Sequence, residues 1–269
     1  MKKYELLQDD TVKSAVGEIL YRIRALRSFG VVKEGDLGGY IVGDHNLCHE
    51  GNAWVFNDAR VSDNARVFEN ARVYHNAWVY GNAQVLGDAL VYNKARAYGN
   101  ARVYDNARVY SRAWVYDGAC VFGNARVCRD AQGYGDARVY EGARVFGNAK
   151  VYGNALVFGD AQVSSNAQVH GQIRVPGRVG ASDDAQVFGE EWVLGEAHVS
   201  NNVRVSDDAW VSDPVSGSTV LCNDADVPDS VSAAASEEIV KPRWRLTNEP
   251  QDGVHCIIRS RIKSGVSGN

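Results

Sequence analysis

The chain has 269 residues and a formal net charge of −4, so it is long enough for one or two ordinary domains and too acidic for bulk charge to predict duplex nucleic-acid binding. No apolar run approaches the roughly 20 residues of a membrane span. Met1-Lys2-Lys3-Tyr4-Glu5 lacks the apolar stretch of a signal peptide. Cys48, Cys120, Cys128, Cys222 and Cys256 match neither a zinc site nor a disulfide scaffold, and a reducing cytoplasm is the expected compartment. Charge is uneven along the chain. Residues 53–170 carry 13 Lys/Arg against 10 Asp/Glu, residues 171–240 carry 3 against 13, and residues 241–269 carry 6 against 2.

Residues 1–40 are non-repetitive. Tyr21, Ile23 and Ala25 alternate with Arg22, Arg24 and Leu26, which predicts a strand and, with it, an N-terminal cap. From residue 41 to 212 a period of six dominates. Alanine recurs at every sixth position from Ala53 to Ala167, and the register runs on through Ile173, Val179, Ala185, Glu191, Ala197 and Val203 to Ala209, giving 27 hexads without an insertion. Valine normally follows each alanine by two. The unit is Ala-x-Val-x-turn-turn, as in Ala101-Arg102-Val103-Tyr104-Asp105-Asn106.

Four alternating residues make a short strand with Ala and Val on one side. The next two residues are Gly, Asn, Asp or Ser in most hexads, types that tolerate positive φ and sharp bends. A short strand and a fixed bend, repeated without variation, close on themselves and stack as coils. A period of six keeps no helical face, which excludes an α-helical reading. The fold class is all-β, a parallel β-solenoid.

Val79-Tyr80-Gly81-Asn82-Ala83-Gln84 resembles the hexapeptide repeat of left-handed parallel β-helix proteins. The resemblance implies three hexads per triangular coil and a left-handed, single-stranded β-helix with small non-repetitive caps at both ends. About nine coils at ~4.8 Å give a rod roughly 43 Å long. The run Leu20-Tyr21-Arg22-Ile23-Arg24-Ala25-Leu26 and Gly35-Asp36-Leu37-Gly38-Gly39-Tyr40 is similar to the head of YdcK-type solenoids of bacteria and prophages, which are often labelled transferases or polymer-forming proteins. That label rests on fold, and fold does not give function. The register breaks near Asp213-Pro214, residues 213–240 read as an irregular break and linker, and residues 241–269 read as a C-terminal strand pair or capping segment.

With three hexads per coil, outward side chains form columns. The position after each Val is aromatic in 15 of the 18 hexads from Phe56 to Phe158. One face presents Arg60, Trp78, Arg96, Trp114, Gln132 and Lys150 beside Tyr80, Tyr98, Tyr116, Tyr134 and Tyr152. Such a face reads first as a ladder that stiffens the rod and second as a contact surface.

The repeat supplies its own control, so departures from it are informative. The residue before each of the first 20 alanines is Asn, Asp or Gly, except at Lys94 and Arg112, which are three hexads apart and share a corner. Arg129 follows on the next coil, and Ala97 and Gly133 replace inward valines nearby. A long basic side chain at a positive-φ position costs ~1 kcal/mol, so something else is expected to favour it. Lys94, Arg96, Arg112 and Arg129, with Tyr98, Trp114, Tyr116 and Tyr134 as stacking surfaces, therefore form the candidate ligand-binding patch. Cation plus aromatic suits an anionic, nucleotide-like ligand. Repeat decay, with Asp117 and Asp130 neutralising the charges, is the competing reading.

Hexapeptide acyltransferases use a histidine base and commonly a loop that interrupts the coils; no such loop occurs in the 27 hexads. Of the six histidines, His170 beside Ser164 is the least poor catalytic candidate, without an identifiable partner. His45 and His49 lack a third metal ligand. No catalytic residue, metal or cofactor is assigned. The expectation is a non-catalytic binding or scaffold protein, phage- or prophage-related as the resemblance implies and homo-oligomeric through an aromatic face, that captures a host protein or an anionic small molecule. The alternative is an acyltransferase-like enzyme with an intersubunit site.

Overall fold

A computed structural model describes residues 2–14, 17–189 and 197–206, together with the backbone strands Thr219–Cys222 and His255–Ile258. The rest of the segments read above as a break, a linker and a C-terminal cap lies outside the described residues.

The period of six closes as expected. Each hexad contributes a short strand, and each strand pairs in parallel with the one three hexads on, as in Arg96↔Trp114 and Ala97↔Val115. Three sheets result. The first face runs through the strands beginning at Arg60, Trp78, Arg96, Trp114, Gln132 and Lys150. The second runs through those beginning at Arg66, Gln84, Arg102, Cys120, Arg138, Leu156 and Arg174. The third runs through those beginning at Trp54, Arg72, Leu90, Arg108, Arg126, Arg144 and Gln162, and its 9 strands mark about nine coils.

The inward alanines and valines are almost wholly buried, and they form one continuous core along the axis. Backbone groups bond from coil to coil: Trp78 N–H donates to Ala95 O at 2.9 Å, and Tyr80 N–H to Ala97 O at 3.0 Å. Away from the cap, where Lys3 and Asn46 bond Ala53 O and Ala65 O, these peptide groups are bonded backbone to backbone.

The turns are more specific than the sequence implied. Only the first turn residue is left-handed, as at Asn93 (φ 63°), Ser111 (φ 63°) and Gly81 (φ 68°). An acid there gains a second task. Asp63 accepts the Gly81 N–H at 2.8 Å, Glu69 the Gly87 N–H at 2.8 Å and Glu141 the Gly159 N–H at 2.9 Å. Asparagines in the second position stack as amide ladders, for example Asn64–Asn82–Asn100.

The cap is a three-stranded antiparallel meander, β1 (Tyr4–Lys13), β2 (Ile19–Ala25) and β3 (Leu37–Ile41). β3 then pairs in parallel with the first face, Tyr40↔Arg60 and Ile41↔Val61. Its core is aromatic. Tyr4 stacks on His49 at 4.4 Å and meets Trp54 edge-on at 6.1 Å. Lys3 is fully buried, and its ammonium donates to Ala53 O at 2.9 Å over the Phe29 ring. Burial pulls its pKa down to about 8.

Gly133 occupies an inward valine position, and a Cβ added there meets nothing within 4 Å. Gly133→Ala is therefore expected to stabilise the rod by about 0.5–1 kcal/mol, seen as a higher Tm. Gly81→Ala is expected to lower it, because φ is 68° and the new Cβ would lie 2.9 Å from Gly99 N.

Candidate functional site

The corner between the third and first faces gathers the departures from the repeat. Its first-turn column holds His75, Asn93, Ser111 and Arg129, and its second-turn column holds Asn76, Lys94, Arg112 and Asp130. Lys94, Arg112 and Arg129 come from three successive coils and are all exposed.

They line an open cleft of about 710 Å³ with His75, Asn93, Ser111 and Asp130. A second hollow of about 270 Å³ adjoins it through Lys94, Arg112 and Asp130, and adds Arg96, Trp114 and Gln132. Five of the eight expected residues, Lys94, Arg96, Arg112, Arg129 and Trp114, are thus brought to adjoining hollows.

Each cation is held differently. Arg112 makes a two-pronged ion pair with Asp130, Nε–Oδ1 2.7 Å and Nη2–Oδ2 2.7 Å. This pair holds the Asp130 carboxyl below the usual carboxylate range. Both partners are exposed, so the pair contributes little to stability. It fixes the guanidinium instead. Lys94 has no ion-pair or hydrogen-bond partner for its ammonium among the described residues. The Arg129 guanidinium lies 5.9 Å from the Phe146 centroid. Arg96 is sandwiched between Trp78 at 5.5 Å and Trp114 at 5.2 Å, and Arg60 covers the other side of Trp78 at 5.3 Å.

Lys94 and Arg112 do not bear the backbone cost expected of them. Neither has positive φ; the left-handed residues are their predecessors Asn93 and Ser111. Arg129, with φ 62°, is the basic residue that carries this cost, being the one Lys or Arg among the described positive-φ residues. Of the two acids expected to neutralise the patch, Asp130 does so for Arg112, whereas Asp117 sits at the corner between the first and second faces.

The tyrosines take another role from the one expected. Tyr98, Tyr116 and Tyr134 lie on the far side of the first face from the cleft and line neither hollow. They belong to a continuous ladder, Tyr80–Tyr98–Tyr116–Tyr134–Tyr152–His170–Phe188, with centroids 4.6–4.9 Å apart and near-parallel planes. Their ring faces are covered by one another, so they offer edges and hydroxyls rather than stacking surfaces. Trp114 alone among the expected rings has a face free of a stacked aromatic or guanidinium; it looks towards Gln132, its strand partner.

Among the described residues the histidines form no catalytic constellation. His170 is clamped between Tyr152 and Phe188, burial lowers its pKa, and Ser164 lies on a different face. His45 Nε2 bonds Asp63 O at 2.8 Å, and His49 Nδ1 accepts the Lys3 N–H at 3.2 Å. Among the described residues no three His, Cys, Asp or Glu side chains are grouped to hold a metal ion. No helix there is long and apolar enough to cross a membrane.

Sequence reasoning missed a second cationic feature. Arg108, Arg126 and Arg144 stand on three consecutive coils of the third face. The signal was present as an arginine after the alanine of every third hexad.

Four windows, residues 65–81, 95–111, 101–117 and 149–165, match the family model described as YdcK Beta solenoid repeat. The chain is a β-solenoid repeat protein. Within those windows its repeat is similar to that family's, and the windows at 95–111 and 101–117 include Arg96, Arg112 and Trp114 but neither Lys94 nor Arg129. A search of curated proteins found no match.

The ladder predicts an alkaline transition. Burial, then neighbouring tyrosines, pushes the Tyr98 and Tyr134 phenols up to about 12. A hydrogen bond to Cys128, then burial, does the same for Tyr110. The neutral phenol is favoured in the fold, so this stability is fully present below pH ~10, the unfolded value, and is lost as pH rises through the folded values. Ultraviolet phenolate titration is expected to show a late-titrating group of tyrosines, with Tm falling over the same interval.

Proposed function

We propose that the protein is a non-catalytic binding scaffold whose basic corner holds a small anionic ligand of nucleotide type. One observation carries the reading: Lys94, Arg112 and Arg129 converge from three coils on one cleft that contains a single carboxylate, Asp130. The phosphate groups meet Lys94 and the free Nη1 end of Arg112, whose Nε–Nη2 fork is occupied by Asp130. The base rests against Trp114, one face of which is braced by Arg96 while the other looks towards Gln132. Arg96 and Trp114 thus act as the floor, and Lys94 and Arg112 as the anion contacts. Tyr98, Tyr116 and Tyr134 are outside this site and serve the rod.

Calorimetric titration with ATP, coenzyme A and pyrophosphate tests the proposal. Lys94→Asn with Arg112→Asn is expected to weaken nucleotide binding at least tenfold, ~1.4 kcal/mol, while leaving Tm within a few degrees. Asp130→Asn is expected to strengthen binding by removing the competing anion. Equal affinity in the double variant ends the reading. Turnover of an acyl-coenzyme A by the wild type would favour the transferase class instead.

A further inference from the structure

On two faces the arginines are kept apart. The first face alternates Arg60, Trp78, Arg96 and Trp114, so an indole separates each guanidinium from the next. The second alternates Arg66, Gln84, Arg102, Cys120, Arg138, Leu156 and Arg174. The third breaks the rule. Arg108 pairs in register with Arg126, and Arg126 with Arg144. Like charges directly opposite on neighbouring strands are destabilising. The same repeat shows how they are avoided elsewhere.

All three are exposed, and among the described residues none has an ion-pair or hydrogen-bond partner for its guanidinium. The adjoining corner carries Glu69, Asp88, Asp105, Glu141 and Asp160, none of which makes an ion pair with the three. Asp105 and Glu141 are turned along the corner, where they accept the Gly123 and Gly159 N–H groups at 3.1 and 2.9 Å. The three arginines therefore form an uncompensated track parallel to the rod axis, with charges about 4.8 Å apart. Leu90 ends it above and Gln162 below. It lies across the Tyr92–Tyr110 column from the basic corner, and it does not depend on the ligand proposed there.

We propose that this track binds an extended acidic polysaccharide bearing one carboxylate or sulfate per sugar. An extended pyranose chain advances by close to one strand spacing per sugar, so its acid groups repeat along the axis at nearly the pitch of the arginine column. The planar guanidinium fork matches a carboxylate or sulfate in a way an ammonium does not. Beside the track stand the hydroxyl-bearing edges of Tyr92 and Tyr110, suited to sugar hydroxyls. Tyr74, Tyr92 and Tyr110 are stacked face to face at 4.9 Å, so the rings beside the upper track cover one another rather than offer the successive open faces that single-strand binding uses. In inorganic polyphosphate the charges lie closer together than the coils.

The full chain is titrated with oligogalacturonates from the monosaccharide to the hexasaccharide, and with oligothymidylate and polyphosphate. Affinity is expected to rise steeply through the trisaccharide and then level off, with a salt dependence that corresponds to about three released counterions. Arg126→Gln, which restores the alternation, is expected to weaken trisaccharide binding at least tenfold with Tm unchanged or higher. Lys94→Asn with Arg112→Asn is expected to leave it unchanged, so this test and that of the corner cleft fail independently. Wild-type affinity in Arg126→Gln, absence of a plateau at three sugars, or tighter binding of oligothymidylate or polyphosphate than of the oligosaccharides overturns the proposal.

Discussion

The structure depends on one constraint: within the repeat each strand takes its backbone hydrogen bonds from the equivalent strand of the neighbouring coil, three hexads away. The coil is therefore not free to vary in length. A one-residue insertion within a strand would turn the Ala and Val beyond it out of the interior, because a slip of one residue exchanges the two faces of a strand. The core tolerates small inward residues, such as Ala97 and Gly133, but no change of phase.

The same constraint governs the surface. Any outward side chain is placed over its counterpart one coil away, so chemistry is multiplied along columns. For tyrosine this is favourable, and the rings stack at 4.7–4.9 Å. For asparagine it makes amide ladders. For arginine it is adverse unless an indole intervenes, as around Arg96, or a carboxylate does, as Asp130 does for Arg112. The basic corner and the arginine column are the places where this management lapses, and both proposed sites follow from that.

Much of the fold was legible because Ala and Val mark the interior so regularly. The columns followed from the three-hexad coil, and Lys94, Arg112 and Arg129 do share one corner. Three things were not legible. Which turn residue takes positive φ depends on how the corner meets the next coil; it proved to be Asn93 and Ser111 rather than Lys94 and Arg112. Whether a tyrosine offers a face or an edge depends on its rotamer within the stack, which removed Tyr98, Tyr116 and Tyr134 from the cleft. The bidentate Arg112–Asp130 geometry required side-chain positions, although both residues stood in one column of the sequence.

The coil-to-coil hydrogen bonds also set how the rod answers to force. They point along its axis, so tension between its ends would load one coil interface at a time, and the chain would peel off turn by turn. A sideways load is spread over three sheets and the whole core at once. A filament anchored by its flank would therefore withstand far more drag than one tethered by its tips.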